Sequence, residues 1–342
     1  MSRGSLPRYV LQRILLVLPM MFILLTVVFL LLRVAPGDPI SASVGGKLSE
    51  EAIEARKAMA GLNRPLIIQY LEYLGNTATF NFGQTITDNR QVLEIVRDNG
   101  GATLTLTLGA FIIALGVGIP LGRIAAHKRD SVRDVVIRIF GIASYATPIF
   151  FVGLLMQLYV ARPLSLPTSG IASPRVLFTV ANEPVTHVVL LDAIIKGEWA
   201  AAGDILVHHI LPCLTLGLMI CGVFIRLVRV NLLQTLQSDY VEAARARGIP
   251  ERLVIKKHAF RNALVPVVTV VGLQAAMLMG GAVLTESTFN WPGLGYQLMH
   301  YIQARDYIGV QGIVTFFAVV VAVISVVVDI VNALIDPRVR YQ

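Results

Sequence analysis

ILLVLPMMFILLTVVFLLL, Ile14 to Leu32, holds no charged residue and lies between Arg13 and Arg33. A helix rises about 1.5 Å per residue, so this run matches the roughly 30 Å of hydrocarbon in a bilayer. Working outward, five more uncharged runs of similar length appear: Gly101 to Gly122, Ile139 to Ala161, Ile205 to Ile225, Asn262 to Thr285 and Tyr307 to Val328. In hydrocarbon every backbone N–H and C=O must be paired within the segment, so each run is expected to be a helix despite its β-branched residues. No alternating strand pattern points to a barrel. The expected fold class is therefore all-α, a polytopic membrane protein with six transmembrane helices.

Composition agrees. The chain has 342 residues, 55% hydrophobic and only 15% charged, with a mean hydropathy of +0.70. An ordinary soluble domain carries about 25% charged residues. Disorder is excluded by the hydrophobicity, and a soluble enzyme has too little polar surface here. The net charge is +8, but no basic stripe with interleaved aromatics points to nucleic acid. Cys213 and Cys221 sit inside one apolar run, without metal or redox spacing, and read as small buried hydrophobes.

The first run follows Arg3, Arg8 and Arg13, as a signal peptide would. It is longer than an ordinary signal core, and Ala35-Pro36-Gly37-Asp38-Pro39 offers no good cleavage site, so a retained helix is expected. Lys and Arg concentrate in the N-terminal segment, after the second run (Arg123, Lys128, Arg129, Arg133), after the fourth (Arg226 to Arg261) and in the tail (Arg338, Arg340). The positive-inside rule then places both termini on the cytoplasmic side. The expected divisions are residues 1–34 (N-terminus and first helix), 35–100 (a large external cap loop) and 101–342 (the core bundle), with a cytoplasmic loop at about 229–261. Within the cap, Ser49 to Ala60 reads as a helix with Glu50 and Glu51 in its first turn. Val185 to Ile195 is apolar but too short to span, and is expected to be an interfacial or capping helix.

Few residues in the runs can do chemistry. Arg138 and Asp329 fall near the cytoplasmic ends, where snorkelling or one structural pair accounts for them. His208 and His209 are adjacent, so on a helix they point about 100° apart and do not share an ion easily. No Walker A sequence, HExxH or placeable Ser-His-Asp set occurs. No catalytic and no metal residue is assigned. Pro19, Pro120, Pro148, Pro212 and Pro266 read as kinks.

The cytoplasmic loop is more informative: Asp239-Tyr240-Val241-Glu242-Ala243-Ala244-Arg245-Ala246-Arg247-Gly248-Ile249-Pro250. Its first part is a good helix former, kept thin by alanines. Gly248 suits the left-handed position that ends a helix, and Pro250 suits the first turn of the next. A basic helix, Glu251 to about Phe260, follows. Composition alone is equally met by a basic loop resting on anionic lipid.

Glu242-Ala243-Ala244, three residues, then Gly248 resembles the EAA loop of ABC importer permeases, and the chain as a whole resembles the dipeptide/oligopeptide type. Pro36-Gly37-Asp38-Pro39, Gly61-Leu62-Asn63-Arg64-Pro65-Leu66 with Gln69-Tyr70, and Pro120-Leu121-Gly122 match in order. So do Asp239-Tyr240-Val241, His258 to Pro266, Glu286 to Gly295 and Asp336 to Tyr341. The chain departs from many relatives at Glu242-Ala243-Ala244, where they have Thr-Ala-Arg, at Asn81 in place of Asp, and in the longer stretch Ile171 to Asp204.

The resemblance implies a multi-pass subunit of a bacterial cytoplasmic (inner) membrane, embedded in the lipid bilayer and not itself an enzyme. It implies a heterodimer with a second homologous permease, two cytoplasmic ABC ATPase domains and an external solute-binding protein that delivers peptide. ATP and Mg would sit on the ATPases, with no cofactor on this chain. Tyr240, Glu242, Ala243, Ala244, Arg247 and Gly248 would form the contact with an ATPase, with Ala243, Ala244 and Gly248 permitting close approach. Gln274, Met277 and Gly280 share a helix face and are candidate path-lining residues, although small-residue packing between helices explains them as well. Other cargo for the same class (nickel chelates, haem, sugars), an ATP-independent secondary transporter, and a scaffold or sensor stay open.

Overall fold

A computed structural model describes residues 6–34, 51, 54 and 63–335. The expected helix from Ser49 to Ala60 lies almost entirely outside the described residues, as do Pro36 to Pro39 and Asp336 to Tyr341.

Apolar run length dictates the long elements. Four helices are long and apolar enough to cross a membrane: α1 (Leu6–Val34), α3 (Val92–His127), α8 (Trp199–Leu236) and α14 (Tyr307–Ile335). The remaining two runs are bent. α4 (Val132–Ala146) and α5 (Ile149–Leu164) meet at 109°, and α12 (Val265–Thr288) bends by 51° between Ala275 and Met277. Six spans result if each bent pair counts as one.

The third run is thus not the single helix expected over Ile139 to Ala161. Thr147 is extended (φ −84°, ψ 135°), the conformation that a following proline imposes on its neighbour. Proline alone does not decide the outcome. α1, α3 and α8 run through Pro19, Pro120 and Pro212, and Pro266 lies in the first turn of α12.

α3 and α8 pack along their length and form the centre of the bundle. Ala102, Leu106 and Ala110 of α3 share one buried cluster with Ala202, Ile205, Cys213 and Leu216 of α8, and Ala114 shares another with Cys221, Phe224 and Val228. Cys213 and Cys221 are buried and free, packed as small hydrophobes. α1 lies against α14, where Arg13 pairs with Asp329 at 3.4 Å.

Short elements close the end of the bundle remote from residues 239–246. α2 (Leu66–Ala78) sets Tyr70 and Tyr73 on Phe29 of α1. α3 begins at Val92 and runs across the expected division at residue 100. α6 (Pro174–Val180) and α7 (Val189–Ile195) follow α5. α7 is the short non-spanning helix expected within Val185 to Ile195, and its buried Asp192 accepts hydrogen bonds at 2.7 Å from the Thr186 N–H and hydroxyl.

Candidate functional site

Past Leu236 the chain turns and forms α9 (Asp239–Ala246), with Asp239 and Glu242 in its first turn, where carboxylates favour the helix dipole. Its end is a Schellman motif. Gly248 takes φ +72°, its N–H donates to the Arg245 carbonyl at 2.9 Å, and the Ile249 N–H donates to the Ala244 carbonyl at 3.3 Å. Pro250 then precedes the short helix α10 (Glu251–Leu253) rather than lying inside it. The expected continuous helix to Phe260 is interrupted: a wide π turn, Val254–Ala259, leads into α11 (Phe260–Ala263).

One face of α9 is an anchor. Val241 and Ala244 are buried with Leu232 of α8, Ala126 of α3, and Val254, Ala259 and Ala263. Ala244 therefore faces inward, contrary to its expected place on an approach surface. Its spacing of three from Val241 puts both on the packed side of the helix. The outer face carries Tyr240, Glu242, Ala243, Arg247 and Gly248, all exposed. Among the described residues the side chains of Glu242 and Arg247 make no hydrogen bond or ion pair. The Tyr240 hydroxyl accepts from Asn262 Nδ2 at 2.9 Å.

Arg245 braces the turn. Its Nη2 and Nε reach Glu251 at 2.8 and 3.1 Å, and its Nη1 reaches the Leu236 carbonyl at 3.2 Å. That guanidinium holds the Glu251 carboxyl below its usual range.

A buried charge pair stands beneath α9. Asp134 of α4 is fully buried and accepts from Arg229 Nε and Nη2 at 2.7 and 2.8 Å and from the Asp130 N–H at 3.0 Å. Arg138 lies 3.5 Å from the same carboxylate and Asp329 pairs with Arg13, so the two residues singled out near the cytoplasmic ends do not pair with each other. Asp134 escaped a search confined to uncharged runs. Ser131-x-x-Asp134, a capping-box pattern, was the legible signal: Ser131 Oγ accepts from the Asp134 N–H at 3.4 Å.

Beside this pair an open groove of about 660 Å³ runs between α4, α8 and α12. Ile142, Tyr145, Val230 and Val270 line it, with Arg138 and Arg226 at its edge. Of the candidate path residues, Met277 and Gly280 are exposed and Gln274 is half-buried, but the 51° bend of α12 falls between Gln274 and Met277. They do not share one straight helix face.

The Glu286 to Gly295 stretch is a buried knot between α12 and α13 (Leu294–Gln303). Fully buried Glu286 accepts from the Thr103 hydroxyl at 2.7 Å and the Tyr296 N–H at 2.9 Å. Trp291 Nε1 donates to the Ala102 carbonyl at 2.9 Å. His208 and His209 each place Nδ1 against the carbonyl four residues back, at 2.8 and 2.7 Å.

Two family models account for the chain. Residues 118–341 match the binding-protein-dependent transport system inner membrane component, and residues 6–107 match the N-terminal part of the same kind of membrane component. The Di/tripeptide transport system permease protein DppB of Pseudomonas aeruginosa is 37% identical over 98% of this chain and 99% of its own length. The Dipeptide transport system permease protein DppB of Escherichia coli (strain K12) is 36% identical, with the same coverage. The Probable D,D-dipeptide transport system permease protein DdpB of Escherichia coli (strain K12) is 35% identical over 92% of each chain.

Proposed function

This chain belongs to the family of binding-protein-dependent transport system inner membrane components, and from that premise we propose that it is the permease subunit of an ABC importer for di- or oligopeptides. It spans the membrane six times with both termini in the cytoplasm, two of the spans being the bent pairs α4–α5 and α12. It pairs with a second, homologous permease to enclose the path. An external solute-binding protein delivers the peptide, and two cytoplasmic ATPase subunits, which alone hold ATP and Mg, dock on the α9 loops of the two permeases.

The observation that carries this reading is the shape of α9. Its inner face is packed on α3 and α8, while its outer face leaves Glu242, Ala243 and Arg247 exposed, with no hydrogen bond or ion pair to the Glu242 or Arg247 side chain among the described residues. A helix that is exposed on one side and wedged into the bundle on the other transmits displacement instead of absorbing it. Tyr240, held by Asn262, and Gly248, which turns the chain back, bound the docking surface. Ala243 permits close approach, and Ala244 fixes the helix from behind. The groove between α4, α8 and α12 offers the partner permease or the cargo a largely apolar wall, and exposed Met277 and Gly280, beyond the bend of α12, are further candidates for the path. Selectivity rests mainly with the delivering protein.

The test is purification of the chain from its native membranes in mild detergent, with identification of its companions, followed by dipeptide uptake by the reconstituted complex. Recovery of a second permease and P-loop ATPases, with uptake that needs ATP, is expected. Uptake by this chain alone, driven by an ion gradient, overturns the reading. Competition by other cargo, such as a nickel chelate or haem, with no competition by peptides, overturns the peptide assignment.

A further inference from the structure

α4 and α8 pack against each other, with Ile137 of α4 buried among Cys221, Phe224, Ile225 and Val228 of α8, and two of their contacts are specific. At one, Gly141 and Gly222 meet backbone to backbone, so close that a Cβ on Gly222 would overlap the Gly141 carbonyl oxygen. At the other, Arg229 holds Asp134 through two nitrogens at 2.7 and 2.8 Å. On both helices the charged residue lies two turns, about 10 Å, from the glycine. The Ile137 packing between them is apolar and non-directional, whereas the paired charges fix the direction in which the two helices are joined.

What lies on either side gives that orientation a consequence. Leu232, one turn past Arg229 on α8, is fully buried under Val241 and Ala244 of α9. At the other end of α4, two extended residues, Thr147 and Pro148, separate it from α5 at 109°. α5 in turn reaches α12, where Gln157 Nε2 donates to the Thr288 carbonyl at 3.0 Å. A chain of packed elements thus runs from α9 through α8 and α4 to α5, beside a direct apolar contact of α8 with α5 at Leu211 and Ala161.

We propose that Asp134 and Arg229 are a positioning pair that obliges α4–α5 to move as one body with α8–α9, so that displacement of α9 reaches the bend at Thr147–Pro148. The inference rests on α9 being the docking helix for an ATPase. The pair touches neither the cargo nor the ATPase; it acts through the helices it ties. A guanidinium–carboxylate pair suits the task, because two parallel hydrogen bonds fix direction as well as distance. Arg138, 3.5 Å away, adds a second positive charge at the joint.

The test uses the complete importer in proteoliposomes with its solute-binding protein, reading peptide uptake and ATP hydrolysis together. Removing one partner alone strands a buried charge and risks misfolding, so the informative variant is Asp134→Leu with Arg229→Leu, which removes both charges and keeps the volume filled. We expect assembly and hydrolysis to persist while uptake per ATP falls by about tenfold, a loss in keeping with coupling energies carried by such networks. Unchanged uptake per ATP in the assembled double-leucine variant overturns the proposal. A second variant carries Asp134→Cys and Arg229→Cys with Cys213→Ala and Cys221→Ala, joined by a short bifunctional thiol reagent. If the two segments move together, the covalent tie supports uptake. If the tie blocks uptake while hydrolysis continues, the pair opens during the cycle and the proposal fails. Failure of the wild-type chain to bring down ATPases is a different result: it removes the importer reading before either variant is made.

Discussion

The Arg245 guanidinium grips the Glu251 carboxylate with two nitrogens, at 2.8 and 3.1 Å, across the turn that contains Gly248. The exposed helix α9 is therefore tied both at its packed face and at its exit. Glu251 is held below the ordinary carboxylate range by that guanidinium. A depressed folded-state pKa stabilises above the unfolded value, and the contribution is lost as pH falls through the folded value. The pair is half-exposed, so its effect on global stability is small. Its effect on the turn is local. Protection of the Gly248 and Ile249 amides, measured as exchange relative to the intrinsic rate at the same pH, is expected to fall in Glu251→Gln, and in the wild type once pH drops below the usual carboxylate range. Equal exchange in both proteins at neutral pH would show that the Schellman bonds hold the turn unaided.

Gly248 is the second prediction. Its φ is +72°, and nothing lies within 4 Å of where a Cβ would be. The cost of a side chain there is backbone strain, not a clash. Left-handed backbone costs an ordinary residue on the order of 1–2 kcal/mol, and asparagine less. Uptake at matched expression should therefore follow the order Gly, Asn, Ala, Val, with membrane insertion unchanged. Wild-type uptake in Gly248→Val removes the turn from the mechanism.

The two alanines of Glu242-Ala243-Ala244 separate docking from folding. Ala244 is 5% exposed within a buried cluster, while Ala243 faces outward. Ala244→Leu overfills that cluster, at a cost of about 1–3 kcal/mol, and should lower the thermal midpoint of the purified chain. Ala243→Leu should leave that midpoint alone and weaken co-purification of the ATPases. If the two variants behave alike, the assignment of faces is wrong.

The reading of these faces shows where sequence alone was sufficient. The bilayer sets the length of an apolar run, so α1, α3, α8 and α14 were legible as helices from their missing charges. Gly248 was legible as a helix end because few residues accept positive φ. The inward turn of Ala244 needed the partner surface, Leu232 and Ala259, before its spacing from Val241 acquired meaning. Pro148 read as a kink along with Pro19, Pro120 and Pro212, and its severity was not legible, because those three lie in unbroken helices while the chain breaks at Thr147–Pro148. Asp134 and Glu286 were passed over for a different reason: their partners, Arg229 and Thr103, lie far along the chain, and no local pattern links them.

Glu286 supplies the last prediction, because its surroundings separate a structural carboxylate from a cargo-binding one. The Thr103 hydroxyl donates to Glu286 and accepts from the Leu294 N–H at 2.8 Å, so one side chain is shared between α3, α12 and the start of α13. The other carboxylate oxygen accepts from the Tyr296 N–H. In Glu286→Gln one oxygen becomes an NH₂ group, which leaves either the Thr103 hydroxyl or the Tyr296 N–H facing a donor. An unmet buried donor costs about 1–3 kcal/mol, and a lowered thermal midpoint is expected. The variant that does assemble should transport with unchanged apparent affinity for peptide, since Glu286 is fully buried among protein groups. A raised half-saturation for peptide with an unaltered midpoint would place this carboxylate on the path instead, and the knot it ties would be secondary.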